Sequence, residues 1–322
     1  MEVKQARKRN TVVTLVLALG SFAIVQALIM AGVIRSYQMV TVATICINII
    51  LAAGLNLVTG FTGQFSLGHA GFMAIGAYTC AIFTLSNNSM GNFFIGTLAG
   101  AVLAALCGVL IGIPTLRLKG DYLAIATLGF AEIIRIFAQN MVITGGAAGL
   151  SGIPKMTNWP MLWAFTAGTL ILIVAFIKSS HGRACIAIRE DEIAAESMGI
   201  NTTKYKVMAF AIGAFFAGIG GALYASTFYI LKPTTFGFMK SIDILMIVVL
   251  GGMGSMTGTV IAAAVLALIT MLLQSFSELR MVLYAIMLVA IMLFRPQGLM
   301  GDRELPAFGN KIKRQKKAPK AE

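Results

Sequence analysis

Long apolar runs are the feature that most constrains the fold of this 322-residue chain. Several reach the roughly 20 residues that a helix needs to cross about 30 Å of hydrocarbon. Because the lipid interior offers no water to backbone N–H and C=O groups, such runs are stable there only as helices. With 58% hydrophobic and 11% charged residues, the composition excludes a soluble globular domain. The sequence therefore predicts an all-α, polytopic integral membrane protein.

The apolar runs predict a bundle of about ten transmembrane helices. They cover residues 11–34, 39–58, 72–85, 93–113, 122–139, 161–177, 205–230, 242–250, 257–273 and 282–294. The run 242–250 is too short to cross alone at 1.5 Å per residue. It is either a short or tilted crossing, which gives ten helices, or half of a re-entrant hairpin with 257–273, which gives eight crossings plus that hairpin.

The net charge of +13 is concentrated at the two ends of the chain. Basic clusters that flank membrane spans mark the cytoplasmic side, so we expect both termini to be cytoplasmic and nucleic acid not to be a partner. The resulting domains are a basic N-terminus (1–10), one transmembrane domain (11–299) that includes a cytoplasmic loop (178–206), and a basic tail (300–322). We expect a multi-pass protein of a bacterial-type inner or plasma membrane.

No pattern of catalytic or metal-binding residues is present in the sequence. The four cysteines are widely spaced and form no CxxC pair, so neither a metal site nor a disulfide framework is indicated. A phosphate-binding Walker A loop needs a Gly-Lys dipeptide, and the chain contains none. If ATP drives this protein, we expect the ATPase to be a separate polypeptide. We predict no enzyme activity, no catalytic residue and no cofactor bound by this chain.

The loop 178–206 is the most polar stretch between the apolar runs. Residues 188–198 are predicted to form a short helix that ends at a left-handed Gly199, and Asn201 is a candidate N-cap for the next helix. We expect one face of this helix to combine Ile188, Ala194, Ala195 and Met198. Such a helix either joins two spans as a solvated loop or docks into a groove on another protein. The candidate docking residues are Arg183, Arg189, Glu190, Asp191, Glu192, Ala194, Ala195 and Gly199.

Two glycine-rich stretches, 60–71 and 251–255, interrupt the apolar runs. Broken helices in transporters expose backbone and side-chain polar groups where a cavity needs them. Glu132 and Arg135 lie on one face of a predicted helix, either as a structural ion pair or as a polar lining of a translocation path. The candidate path and helix-break residues are Asn56, Gln64, Ser66, His69, Glu132, Arg135, Gly251, Gly252 and Gly254.

The sequence resembles the LivM-type permease subunits of branched-chain amino acid ABC importers over nearly all of 40–299. The segment GLNLVTGFTGQFSLGHAGFMAIGAY (54–78) carries the resemblance most strongly. Further similar blocks, in the same order, are 116–135, 144–154, 182–201, 216–225, 248–263 and 293–299. The pattern Ala194-Ala195-x-x-x-Gly199 is similar to the EAA loop of ABC importer permeases, although Ile193 stands where that signature has Glu.

The resemblance implies a specific assembly. This chain would pair with a second permease subunit. Two cytoplasmic ATPase subunits holding ATP and Mg would dock on 183–199 and on the equivalent segment of the partner permease. An extracytoplasmic binding protein would deliver leucine, isoleucine or valine. Similar permeases carry urea, short amides or other amino acids. The remaining alternative is an ion-coupled carrier that uses Glu132, Arg135 and His69 as a relay.

Overall fold

The computed structural model describes residues 20, 22–32, 36–116, 118, 120–272, 286, 298 and 299. The predicted termini, 1–10 and 300–322, lie outside the described residues, as does all of the predicted last span 282–294 except residue 286. Within the predicted first span 11–34, the described residues include a helical segment at 22–30, which we call α1.

Helices account for most of the described chain. They are α2 (Ser36–Asn56), α3 (His69–Ser86), α4 (Met90–Thr115), α5 (Asp121–Asn140), α6 (Trp159–Lys178), α7 (Ser180–Glu190), α8 (Glu192–Ser197), α9 (Thr202–Phe228), α10 (Phe238–Gly251) and α11 (Met256–Leu272). A π-helical turn (Leu57–Phe61) extends α2, and short 3-10 turns lie at Gly146–Ala148 and Pro233–Phe236.

Within the part of the chain that the structure describes, five helices are long and apolar enough to cross a membrane. They are Gln38–Phe61, His69–Ser86, Met90–Thr115, Trp159–Lys178 and Thr202–Phe228. They correspond to predicted apolar runs, so the prediction of a polytopic helical membrane protein is confirmed.

Small residues set the distances between the central helices α2, α3, α4 and α9. A Cβ at Gly76 of α3 would overlap the backbone of Gly218 in α9, and one at Gly100 of α4 would lie 3.0 Å from the Gly76 backbone. In lipid there is no hydrophobic force between helices, so close backbone approach and van der Waals packing hold them together. The glycines within these helices therefore allow the close packing at the centre of the bundle.

One short antiparallel ladder departs from the predicted all-α fold. Strand β1 (Leu150–Ser151) pairs with β2 (Ile230–Leu231). These strands belong to the segments that follow α5 and α9. Pairing satisfies backbone groups that the loops would otherwise leave without partners, and it ties the 141–158 loop to the end of α9.

The single helix predicted over 188–198 is wrong, because the structure has two helices, α7 and α8, that meet at Asp191. The Asp191 carboxylate accepts hydrogen bonds from the backbone N–H groups of Ile193 (2.9 Å) and Ala194 (3.0 Å). An N-cap of this kind requires extended backbone, and Asp191 has φ −157°. The predicted ends are present: Gly199 has φ +82°, and Asn201 caps α9 through Lys204 N–H.

Both predicted interruptions are breaks in helices. The first comprises the π-helical turn and the irregular residues 62–68, and α3 resumes at His69, earlier than the glycine-rich stretch ends. The second comprises residues 252–255 between α10 and α11. We call these segments the first break (57–68) and the second break (252–255).

Candidate docking and helix-break site

Asn56 joins the two breaks. Its side chain is fully buried at the last position of α2. Its Nδ2 donates to the Ser255 carbonyl (3.0 Å) and to Thr259 Oγ1 (2.8 Å), and its Oδ1 accepts from Gly254 N–H (2.9 Å). One amide therefore satisfies Gly254 N–H in the second break and adds a bond to the Ser255 carbonyl, and it holds the two breaks together across about 200 positions of sequence.

Arg189 connects the same breaks to helices α7 and α8, which together with the following Met198 we call the docking segment (180–198). Its Nη1 donates to the Gly60 carbonyl at 2.6 Å, and its Nη2 donates to Glu190 Oε1 at 2.7 Å. The Gly60 backbone is packed so closely that a Cβ there would overlap Asn56 Oδ1 and the Gly254 nitrogen. We call the group formed by Asn56, Gly60, Arg189, Gly254 and Ser255 the junction.

Two glycines make room for the Arg189 side chain. Gly63 and Gly254 have φ of +75° and +89°, a region that side-chain-bearing residues rarely adopt. A Cβ at Gly63 would lie 3.0 Å from Arg189 Cγ, and a Cβ at Gly254 would lie 2.7 Å from Arg189 Nη1. The close approach and the left-handed backbone thus both require glycine at these positions.

Gly298 and Leu299 contact the last turn of α10 and the second break. Leu299 N–H donates to the Leu250 carbonyl at 2.9 Å. A Cβ at Gly298 would overlap the backbone of Gly252. The last turn of α10, including Gly251, is therefore bounded by residues 298 and 299 as well as by the junction.

The docking segment has one buried side and one exposed apolar side. Ile188 and Ala195 are buried, whereas Ile193 and Met198 are 75% and 83% exposed, and Ala194 is also exposed. The prediction that Ile188, Ala194, Ala195 and Met198 share one face is wrong. The cap at Asp191 starts α8 anew, so its residues do not continue the helical phase of α7.

Charged and thiol groups fasten the docking segment to the bundle. Lys206 Nζ of α9 lies 2.6 Å from Glu192 Oε1. Cys185 is fully buried, and its thiol donates to the Tyr205 carbonyl at 3.8 Å. Burial raises the pKa of Cys185 to about 11. Arg183 bonds close to its own position, to Ser180 Oγ (3.2 Å) and the Lys178 carbonyl (3.4 Å).

The first break turns polar side chains inward. Thr62, Gln64 and Ser66 are buried, whereas Gly63 and Phe65 between them are exposed. Within the described residues, neither amide atom of Gln64 has a hydrogen-bond partner, and the same holds for Nε2 of the buried His69. Burying polar groups without partners is costly, so Gln64 and His69 are candidates for contact with water or a bound molecule.

The pair Glu132–Arg135 lies apart from the junction. Arg135 Nε donates to Glu132 Oε2 at 2.6 Å, and Arg135 Nη1 donates to Gln139 Oε1 at 3.3 Å. The pair is partly buried beside Gly237, where α10 begins: a Cβ on Gly237 would lie 3.7 Å from Arg135 Cδ. The structure thus brings the predicted residues Asn56, Arg189 and Gly254 together and leaves Glu132 and Arg135 at the other end of α10.

Sequence reasoning missed three contributors to this site, namely Gly60 as a hydrogen-bond acceptor, Ser255 and Thr259. Gly60 and Ser255 lie inside the glycine-rich stretches, so those stretches were a usable signal. Thr259 lies within the apolar run of α11 and gave no signal of its own. Among the described residues, no three His, Cys, Asp or Glu side chains come together in a way that could hold a metal ion.

Comparisons with known proteins identify the family. The model of the family described as branched-chain amino acid transport system, permease component, matches residues 37–292. The high-affinity branched-chain amino acid transport system permease protein LivM of Escherichia coli K12 is 39% identical over 298 residues, covering 81% of this chain and 69% of the relative. LivH of the same strain is 26% identical over 284 residues, covering 80% of this chain and 92% of the relative.

A nucleoside ABC transporter permease protein, NupC of Lactococcus lactis, is 26% identical over 215 residues, which cover 58% of this chain and 68% of the relative. No solved structure matches this chain. The family consists of transport components, which confirms the prediction of a transport subunit rather than an enzyme. With its apolar helices, this makes the chain a multi-pass inner-membrane protein. The chain belongs to the permease components of branched-chain amino acid transport systems.

Proposed function

We propose that this chain is the membrane-spanning permease subunit of an ATP-driven importer of leucine, isoleucine and valine. The observation that carries the proposal is the family match over residues 37–292 together with the similarity to LivM. The chain pairs with a LivH-like second permease, receives substrate from an extracytoplasmic binding protein, and alternates its access as two separate ATPases bind and hydrolyse ATP with Mg.

The topology that fits this function has ten crossings with both termini in the cytoplasm. Helices α10 and α11 contain 14 and 17 residues, about 21 and 26 Å at 1.5 Å per residue. The length of α11 approaches the hydrocarbon thickness of about 30 Å. The shorter α10 would cross as a short span, where the bilayer is locally thinner. The even number of crossings keeps the basic segments 1–10 and 300–322 on the side that positive charge favours.

The docking segment supplies the contact with the ATPase. A group of exposed apolar side chains rimmed by polar residues is typical of a protein–protein interaction site. Ile193, Ala194 and Met198 form such a patch beside Glu190 and Glu196. A cytoplasmic ATPase that covers this patch would bury it, while the Lys206–Glu192 pair keeps α8 fixed on α9.

The first break and α5 supply the polar part of the translocation path. Gln64 and His69 carry buried polar atoms without partners among the described residues. Water or the amino and carboxylate groups of an amino acid would satisfy them. Glu132 and Arg135 line the path from α5, where a partly exposed ion pair is tolerated in a membrane protein if it borders water or a neighbouring subunit.

The decisive experiment is uptake of radiolabelled leucine into proteoliposomes that contain this chain, its second permease, both ATPases and added binding protein. We expect uptake that requires both ATP and binding protein. Uptake that ignores ATP and follows an ion gradient would instead establish a coupled carrier. ATP-dependent uptake of urea, short amides or other amino acids without leucine would keep the importer and correct its substrate.

Docking is tested by cysteine crosslinking at neighbouring positions of α8. Ala194→Cys lies on the exposed side and is expected to capture an ATPase subunit in the assembled transporter. Ala195→Cys, one position along and buried, is the matched control and should not. Equal capture from both positions, or none from Ala194→Cys, would remove the assignment of this face.

Coupling is tested in the same vesicles. Gly199→Pro, or reversal of the three charges Glu190, Asp191 and Glu192, should leave the protein inserted but reduce uptake at least about tenfold, because either change alters the ends of α8. Normal uptake in both variants would contradict a docking role for this helix.

A further inference from the structure

We propose that Arg189 is the positioning residue that couples the docking segment to both helix breaks, so that one movement of α7 and α8 acts on 57–68 and 252–255 together. The inference rests on the proposed function, since it takes the ATPase to act on the docking segment. It names the physical contact through which that action reaches the membrane helices.

The first part of the contact is a charge-assisted hydrogen bond. Arg189 Nη1 donates to the Gly60 carbonyl at 2.6 Å, across 129 positions of sequence. Gly60 lies in the π-helical turn that ends α2, where carbonyl groups run out of partners in the next helical turn. Charged donors bind such carbonyls more strongly than neutral ones. The guanidinium therefore completes the C-terminal end of α2.

The second part is a steric contact with the other break. The same Nη1 lies against Gly254, where a Cβ would be only 2.7 Å away. Asn56 then bonds Gly254 N–H and the Ser255 carbonyl. A displacement of Arg189 would thus act on the second break directly through its contact with Gly254. It would also act indirectly, through Gly60 and Asn56.

The third part is the short connection from Arg189 to the exposed face of α8. Arg189 lies in the last turn of α7, and Ile188 before it is buried. Glu190 fixes Nη2 at 2.7 Å. Only residues 190–192 separate Arg189 from the exposed Ile193. The N-cap at Asp191 fixes the backbone of this turn. A movement of α8 is therefore transmitted to Arg189.

Two other charged residues of the docking segment, Arg183 and Glu192, make contacts with different partners. Glu192 of α8 pairs with Lys206 of α9. Arg183 bonds to Ser180 and to the Lys178 carbonyl. Neither of these contacts lies at a helix break, whereas the bond from Arg189 to the Gly60 carbonyl does.

The main test uses the complete reconstituted importer and three readouts: co-purification of the ATPases, ATP hydrolysis stimulated by binding protein, and leucine uptake. For Arg189→Ala we expect unchanged co-purification and uptake per ATP reduced at least about tenfold. Arg189→Lys keeps the charge and one donor but loses the planar fork, so its loss should be smaller. Wild-type uptake per ATP in Arg189→Ala would overturn the inference.

The design separates this failure from that of the proposed function. If the wild-type assembly itself shows no ATP-dependent uptake of leucine or a related substrate, the proposed function fails whatever Arg189 does. If the wild type transports and Arg189→Ala remains fully coupled, only the coupling role of Arg189 fails.

A second test keeps Arg189 and replaces one of two glycines, so it does not require that the Arg189 variants assemble into the importer. Gly63 and Gly152 both have φ +75°, but a Cβ at Gly152 meets nothing within 4 Å, whereas one at Gly63 meets Arg189 Cγ at 3.0 Å. Gly152→Ala therefore reports backbone strain alone. We expect Gly63→Ala to reduce uptake per ATP several-fold more than Gly152→Ala, and equal effects would contradict the contact.

Hydrogen exchange on the full-length chain in detergent gives the final readout. Arg189→Ala should accelerate exchange at the amides of Gln64 and Gly254 about tenfold, because both lie next to the contacts that Arg189 makes and exchange follows local opening. Exchange at Ile153 N–H, which bonds the Tyr229 carbonyl in the loop after α5, is the control. Acceleration at one break without the other would overturn the claim that Arg189 acts on both.

Discussion

Arg135 and Arg189 make nearly the same ion pair in two different settings. Each bonds a glutamate close in sequence, at 2.6 Å for Glu132 and 2.7 Å for Glu190. The further partner of Arg135 is Gln139 on the same helix. The further partner of Arg189 is the Gly60 carbonyl, in another element 129 positions away.

This difference shows that the effect of removing a charged side chain depends on which structural elements that side chain connects. Glu132, Arg135 and Gln139 stabilise the single helix α5, so replacing them should affect the stability of that helix alone. The junction ties the docking segment and both breaks together, so changes there should be strongly non-additive.

The largest difference is expected between two glycines. Gly60→Ala forces a methyl group onto Asn56 Oδ1 and the Gly254 nitrogen and should lower the free energy of unfolding by about 3 kcal/mol. Gly129→Ala in α5 meets nothing within 4 Å and should be neutral or stabilising by up to about 1 kcal/mol. Unfolding of the purified chain in detergent measures both changes in free energy. Similar losses of stability in the two variants would contradict the prediction.

The next difference concerns two amide side chains. Asn56→Ala leaves Gly254 N–H without its partner and removes one of the bonds to the Ser255 carbonyl, which still accepts from Thr259. The change should cost about 2 kcal/mol. Gln139→Ala removes one 3.3 Å bond to Arg135 and should cost no more than about 0.5 kcal/mol. The same unfolding assay checks this, and a larger loss for Gln139→Ala would reverse the ranking.

A smaller effect is expected within α5 itself. Glu132→Gln alone should cost about 1 kcal/mol more than the double change Glu132→Gln with Arg135→Gln, because the single change leaves one charge partly buried without its counterion. A double-mutant cycle on stability and uptake measures the coupling. A coupling energy of zero would show that the two side chains act independently.

The smallest effect is chemical and tests whether the docking segment is packed firmly. Because burial raises the pKa of Cys185 to about 11, only about one thiol in a thousand is ionised at about pH 8, and the thiolate is the reactive form. Iodoacetamide should therefore leave Cys185 unmodified in the folded chain while labelling an Ala194→Cys variant on the exposed face. Mass spectrometry of digested peptides reads both, and rapid labelling of Cys185 would mean that α7 separates from α9.

Parts of the candidate site were predictable because their signals are local. The glycine-rich breaks, the Asn201 cap and the left-handed Gly199 follow from backbone preferences of single residues. The division of 178–206 into two helices was missed, although Asp191 carried the signal. Its carboxylate competes for the backbone N–H groups of Ile193 and Ala194, and this changes which residues of α8 face outward.

The sequence by itself determined the membrane class, the order of the helical segments and the family, because the length of an apolar run and the need to satisfy backbone groups in lipid are properties of each segment alone. Only the tertiary structure decided that Asn56, Gly60, Arg189 and Gly254 meet. These residues come from elements far apart in the chain, and their meeting depends on helix packing through glycines. No spacing in the sequence encodes that packing, so it had to be read from the folded protein.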